Sequence, residues 1–156
     1  MPNDCFNKLT IRMSQAGKDK RKDAKKLLND FWQTYINNDP DCEPLLEFER
    51  IIPGLNEISY GGDAQIHNDS NDEHLVLTFY TAWRPQKDIL SVLVVDNPYL
   101  HFELQYSESG IGFKGYLIGK DGRISEEYWR NFTDRDYERW DEGGWLFEKG
   151  EHHGIV

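Results

Sequence analysis

Hydrophobic and polar positions alternate along residues 5–13, CFNKLTIRM. Cys5, Asn7, Leu9, Ile11 and Met13 share one face, and Phe6, Lys8, Thr10 and Arg12 share the other. A period of two marks a half-buried strand. From about Lys18 to Asn37 the period lengthens. Ala24, Leu27, Leu28, Phe31 and Tyr35 recur at three- and four-residue spacing, which predicts a helix with one apolar stripe. The turn formers NNDPD, with Pro40, stop it. LLEFERIIP, residues 45–53, reads as a second strand ended by Pro53-Gly54. Residues 54–73 have no period and many turn formers, and read as a loop. HLVLTFYTAW is a third strand, with Leu75, Leu77, Phe79, Thr81 and Trp83 on one face and Val76, Thr78, Tyr80 and Ala82 on the other. Pro85 then suits the first turn of a helix, where a missing N–H costs nothing. Ile89, Leu90, Leu93 and Val94 supply that helix's buried stripe, and YLHFELQYSE and IGFKGYLIG follow as two further strands.

The predicted order is β-α-β-loop-β-α-β-β and then a tail. Two helices can cover only one face of a four- or five-stranded antiparallel sheet, so the class is α+β on the ferredoxin-like, split βαβ plan, with an extra hairpin strand. Residues 1–122 are expected to form that domain. Residues 123–156 form an aromatic, acidic C-terminal extension packed on it. Ser125 followed by Glu126 and Glu127 looks like a helix start, and Tyr128, Trp129 and Phe132 would then share a stripe. Burying one such ring is worth on the order of 2 kcal/mol, which favours packing on the domain over exposure. The other use of those rings is as anchors for a partner protein.

A chain of 156 residues suggests one domain with a core large enough to need no staple. Its two cysteines, Cys5 and Cys42, match no metal or redox spacing, and Cys5 falls in a strand as a buried, inert thiol. No apolar run approaches membrane-spanning length, and MPNDCFNKLTIRM lacks a basic region followed by an apolar stretch. The expected location is the cytoplasm.

Charge is uneven. The net charge is −10, yet residues 1–40 carry 8 basic and 5 acidic side chains, while residues 41–156 carry 10 and 23. That balance disfavours a long footprint on nucleic acid, which needs clustered Lys and Arg, and favours a basic protein partner. The run KDKRKDAKK, residues 18–26, reads as a solvated helix face or as a small anion- or partner-binding patch.

Candidate chemistry is sparse. HNDSNDEH, residues 67–74, places His67, Asp69 and His74 where a divalent metal could be held, although the spacing matches no established signature and a solvated acidic loop is the plainer reading. No Gly-x-Ser-x-Gly elbow occurs, and the glycines of GIGFKG lie between two strands rather than between a strand and a helix, so they permit a turn and close packing rather than a phosphate loop. No catalytic residue and no cofactor is assigned. The sheet face away from the helices would display Phe6, Thr10, Arg12, Tyr80, His101, Gln105, Lys114 and Tyr116. Single-stranded nucleic acid could stack there if the tail leaves Phe6, Tyr80 and Tyr116 exposed. Trp83 reads as a plug at the end of the core, with Arg84 paired nearby; alternatively the two form the rim of a binding groove.

MPNDCFNKLTI, FERIIPGL, LTFYTAWRPQ and LHFELQYSESGIGFKGYLIGKDG together resemble the YubB-type ferredoxin-like domain family. The resemblance covers roughly residues 1–122. It implies a ferredoxin-like fold without an iron–sulfur cluster, and a setting among small proteins encoded by phages, plasmids and integrated elements. It brings no established catalytic residues. Tyr60-Gly61-Gly62-Asp63 stands where members often have Trp-Gly followed by Lys-Trp, and Arg84 where they have Ser or a similar residue.

The function expected from these readings is a non-enzymatic interaction module that binds a host or element protein through an acidic surface. Interference with a nucleic-acid-binding or defence protein is its concrete form. Trp83, Arg84, Tyr60, Trp129 and Trp140 are the expected binding residues. A metal-dependent or small-ligand enzyme using the 67–74 loop is the alternative.

Overall fold

The computed structural model describes residues 4–37, 40–41, 44–53, 65–66, 71 and 73–138. In chain order the elements are β1 (Asp4–Met13), α1 (Gln15–Asp19), α2 (Ala24–Tyr35), β2 (Ile36–Asn37), β3 (Leu45–Leu46), α3 (Phe48–Ile51), β4 (Gln65–Ile66), β5 (His74–Ala82), α4 (Lys87–Asp96), β6 (Leu100–Glu108), β7 (Phe113–Lys120), β8 (Arg123–Asn131) and α5 (Asp134–Glu138). The main sheet has six antiparallel strands in the order β4-β5-β1-β6-β7-β8, and β2 and β3 form a separate two-stranded ribbon. In the first four strands β1 lies between β5 and β6, and β5 lies between β4 and β1. That is the ferredoxin-like split βαβ plan. β7 and β8 extend the sheet beyond it.

The predicted faces hold for β1, α2, α4, β6 and, as far as Thr81, β5. Cys5, Leu9 and Ile11 of β1 lie beside Leu77 and Phe79 of β5 and Phe102 and Leu104 of β6, all buried under the helices. Leu28, Phe31 and Tyr35 of α2 and Ile89, Leu90, Leu93 and Val94 of α4 close that core. A Cβ on Gly119 would collide with Val94, and one on Gly115 with the Tyr106 hydroxyl and the Tyr128 carbonyl. Those glycines therefore let α4 and the neighbouring strand come close, and Gly115 is one of those in the GIGFKG pattern expected to permit close packing. Burial pushes the Cys5 thiol up to about 12, which makes it the inert thiol expected.

Four local expectations are corrected. The first helix is two helices. Ser14 Oγ accepts from the Gly17 amide to cap α1, Asp23 Oδ1 accepts from the Lys26 amide to cap α2, and the charged stretch between them has no apolar stripe to carry one helix through. LLEFERIIP is not a long strand. Leu46, Phe48 and Ile51 are all buried, and the last two do so at the three-residue spacing of one helical turn. The second strand of the split βαβ unit is instead the two-residue β4, in the region read as loop. Ser125-Glu126-Glu127 does not start a helix. It lies within β8, which pairs with β7 from Lys120↔Arg123 to Phe113↔Asn131, so position 122/123 is the turn of a hairpin.

Candidate functional site

On the face away from α2 and α4, β1 presents Phe6, Lys8, Thr10 and Arg12. β6 presents His101, Glu103, Gln105 and Ser107 beside them. All eight open-face residues named from the alternation lie there. The register aligns His74, Arg12 and His101 in one row across β5, β1 and β6, with Thr10 and Glu103 in the next row. A groove of about 510 Å3 opens over these rows, lined by Thr10, Arg12, Lys18, His74, His101 and Glu103 among others.

Three local devices build this groove. Asn71 Oδ1 accepts from the Glu73 and His74 amides at 2.7 and 3.1 Å, a turn that sets His74 at the start of β5. The Ser14 amide donates to the Tyr99 carbonyl at 2.8 Å, and Gly17 packs against Met13 and Tyr99, which fixes α1 against the end of the sheet with Lys18 in the groove wall. Lys22 sits 4.9 Å from the centre of the Tyr99 ring, a cation–π contact that ties down the α1–α2 link.

The groove's floor is short of partners. Glu103 has a side chain only 8% exposed, and its contact with Arg12 Nη2 is a 3.5 Å ion pair without hydrogen-bond geometry. Glu103 Oε1, His101 Nδ1, Gln105 Oε1 and Ser107 Oγ are all buried with no hydrogen-bond partner, one atom from each open-face residue of β6. Burial drives His101 down to about 4, helped by Arg12 and Lys120, so its imidazole is neutral and its 4.0 Å approach to Glu103 is no ion pair. Burial likewise raises the Glu103 carboxyl, with Arg12 opposing it.

The other end of the same face is closed. Lys114, with a side chain 2% exposed, meets Asp136 Oδ1 of α5 at 2.8 Å, and Arg130 Nη1 donates to Asp136 Oδ2 at 2.6 Å. The Thr133 amide and hydroxyl donate to the same carboxylate. Burial alone would raise Asp136, but the hydrogen bonds from Arg130, Lys114 and Thr133 more than offset it and hold its carboxyl well below the usual range. Tyr116 is buried against Tyr128 in a stacked pair. It is therefore not available as a stacking platform, and of the three rings that reading requires only Tyr80 is well exposed.

Trp83 does not plug the core. It is 47% exposed and has a positive φ of 69°, rare for a bulky residue. The Arg84 amide donates back to the Ala82 carbonyl at 2.8 Å, which closes a tight three-residue turn around Trp83. Thr81 Oγ1 donates to the Arg84 carbonyl at 2.7 Å, and the buried Asn7 Nδ2 donates to Thr81 Oγ1 at 2.9 Å. Arg84 has an exposed side chain. Tyr80, also exposed, packs edge-on against Phe6 with ring centres 5.4 Å apart. Trp129 is 59% exposed on β8, four strand spacings from β5 and so about 19 Å across the sheet. Tyr60, Trp140, His67 and Asp69 lie outside the described residues. Among the described residues no group of three metal-binding side chains occurs, and His74 neighbours Arg12 rather than a carboxylate pair. No helix of the described residues is long and apolar enough to cross a membrane.

The sequence reading put Arg12 and His101 on the open face but did not see the groove. Its signal was the residues opposite one another in β5, β1 and β6, which pattern alone does not pair. The architecture defines a ferredoxin-like α+β protein whose sheet is lengthened by a hairpin and left partly open. Residues 64–144, β4 through α5 and just over half of the chain, match the family described as the ferredoxin-like domain in Api92-like protein, and the chain belongs to that family. No curated protein and no solved structure matches it.

Proposed function

We propose that this chain is a non-enzymatic protein-interaction module, one of the small proteins of phages, plasmids and integrated elements, and that it works in the cytoplasm. Trp83 is its anchor. A bulky side chain in left-handed backbone costs roughly 1–2 kcal/mol, and such strain persists only where the surroundings over-determine it. Asn7 and Thr81 supply that constraint from the core, yet the result is an indole displayed to solvent rather than packed. Displayed Trp, Tyr and Arg side chains are the usual hot spots of interfaces, and Trp83, Tyr80 and Arg84 fall within five residues. Trp129 is a second anchor on the far edge.

The net charge of −10 selects a basic partner. A nucleic-acid-binding site on a host nuclease or defence complex has that character, and an acidic protein can occupy it. The test is an affinity pull-down from a host lysate at low and high salt, with wild type and Trp83→Gly side by side. Glycine accepts the positive φ, so the turn stays and only the indole goes. One salt-sensitive partner, lost with Trp83→Gly, supports the reading. A partner retained equally by both proteins, or no salt-sensitive partner at all, sinks it.

A further inference from the structure

We propose that the groove between α1 and the open face of the sheet binds a mononucleotide-sized phosphate ester, its phosphate against Arg12 and Lys18 and the N–H donors of its body on Glu103 and His101. The groove's volume of about 510 Å3 falls within the usual range for small-molecule pockets. Arg12 is half exposed and engages Glu103 only at 3.5 Å, so most of its guanidinium donors are uncommitted toward the groove. Lys18 stands across from it, and Ala24, the first residue of the twelve-residue α2, forms part of the wall. Cations together with a helix N-terminus suit a phosphate. The cationic run of residues 18–26 brackets this wall and accounts for the local excess of positive charge in an acidic protein.

The floor explains why a bare anion is not the ligand. Glu103 and Glu73 in the lining, and Asp23 at the α2 cap, repel one. Glu103 Oε1 and His101 Nδ1 are buried atoms lacking a hydrogen bond, and a buried polar atom left unpaired is destabilising. A body with N–H groups, as on a nucleobase, satisfies them when Arg12 swings from Glu103 onto the phosphate. The groove lies at the opposite end of the strands from Trp83, so this site stands or falls independently of the partner-binding corner.

The test is calorimetric titration of the full chain with the four ribonucleoside 5′-monophosphates and with inorganic phosphate. At least one nucleotide should saturate a single site about tenfold more tightly than phosphate. Arg12→Ala and Lys18→Ala should each weaken it about tenfold, the scale of one charge-assisted hydrogen bond. Lys18 is solvent-facing, so Lys18→Ala should melt like wild type. Arg12→Ala removes the cation beside the buried Glu103 and should melt lower, so its binding is measured at a temperature where it is fully folded. Glu103→Gln should weaken the nucleotide and strengthen inorganic phosphate, because it removes negative charge from the floor. No saturable heat with any nucleotide at millimolar concentration, or an Arg12→Ala protein that binds unchanged, overturns the site. Phosphate binding as tightly as every nucleotide overturns the assignment of Glu103 and His101.

Discussion

Lys114, Asp136 and Arg130 meet at one end of the open sheet face, and Arg12, Glu103 and His101 meet at the other. The first joins the neighbouring strands β7 and β8 to α5, the second is drawn from the neighbouring strands β1 and β6, and both centre on a carboxylate whose side chain is 8% exposed. At the first, Asp136 receives two cations and two donors from Thr133, and its charged form is strongly favoured. At the second, Glu103 has one cation at 3.5 Å and an oxygen with no hydrogen bond, and burial shifts its carboxyl upward. The difference teaches how to tell structure from site on one surface. A buried charge that is fully partnered fastens α5 to the sheet. A buried charge left short of partners beside an open groove is where the proposed ligand would dock.

The largest expected effect separates the clusters by subtraction. Asp136→Leu takes the carboxylate away from two cations, the buried Lys114 among them, and should cost about 3–5 kcal/mol in urea unfolding. Lys114→Met combined with Asp136→Leu should recover most of it, because an apolar pair of similar volume replaces the ions. A single variant that loses less than about 1 kcal/mol would break the comparison at its structural end.

Acid should resolve the two ends by pH. His101 has a folded value of about 4 against an ordinary 6.5, so the unfolded chain binds the extra proton in that window. Its contribution is complete above pH 6.5 and is lost as pH falls toward 4, by at most about 3 kcal/mol. Asp136 is also depressed, so its contribution is complete above its unfolded value of 3.8 and is lost only below that. Stability measured from pH 7.5 to 3 should therefore fall in two stages, and His101→Phe should remove the first alone. A first stage that survives in His101→Phe assigns it to another group.

The smallest effect concerns neither cluster but the corner beside the closed end. Trp83→Gly should change stability by no more than about 1 kcal/mol, with a gain as readily as a loss, since it relieves a positive φ and removes a half-exposed ring. A loss well above that size would mean that the indole packs, as the sequence pattern suggested.

Much of this face was legible in the sequence. Alternation in β1, β5, β6 and β7 assigned every named open-face residue, because each of those strands has one side against the helices. β8 was misread for the same physical reason. As the edge strand of the described sheet it is exposed along most of both faces, so it has no alternation, and Ser125-Glu126-Glu127 imitated a helix start. β4 contributes two residues, too few for any period. The groove needs His74 and His101 on either side of Arg12, a pairing across 62 and 89 residues of chain that strand register decides. The strain at Trp83 was equally hidden, since Thr-Ala-Trp continues the strand's alternation and only Asn7 and Thr81, buried among apolar neighbours, hinted that the corner is held.

The most direct measurement is a matched pair of urea unfolding curves at pH 7, one for Asp136→Asn and one for Glu103→Gln. Each variant removes one carboxylate's charge with almost no change of shape. A loss of about 3 kcal/mol for Asp136→Asn, beside no loss or a gain of up to about 1 kcal/mol for Glu103→Gln, is the result predicted here. Equal losses would contradict it, because both carboxylates would then be structural and the groove would have no unmet charge to offer a ligand.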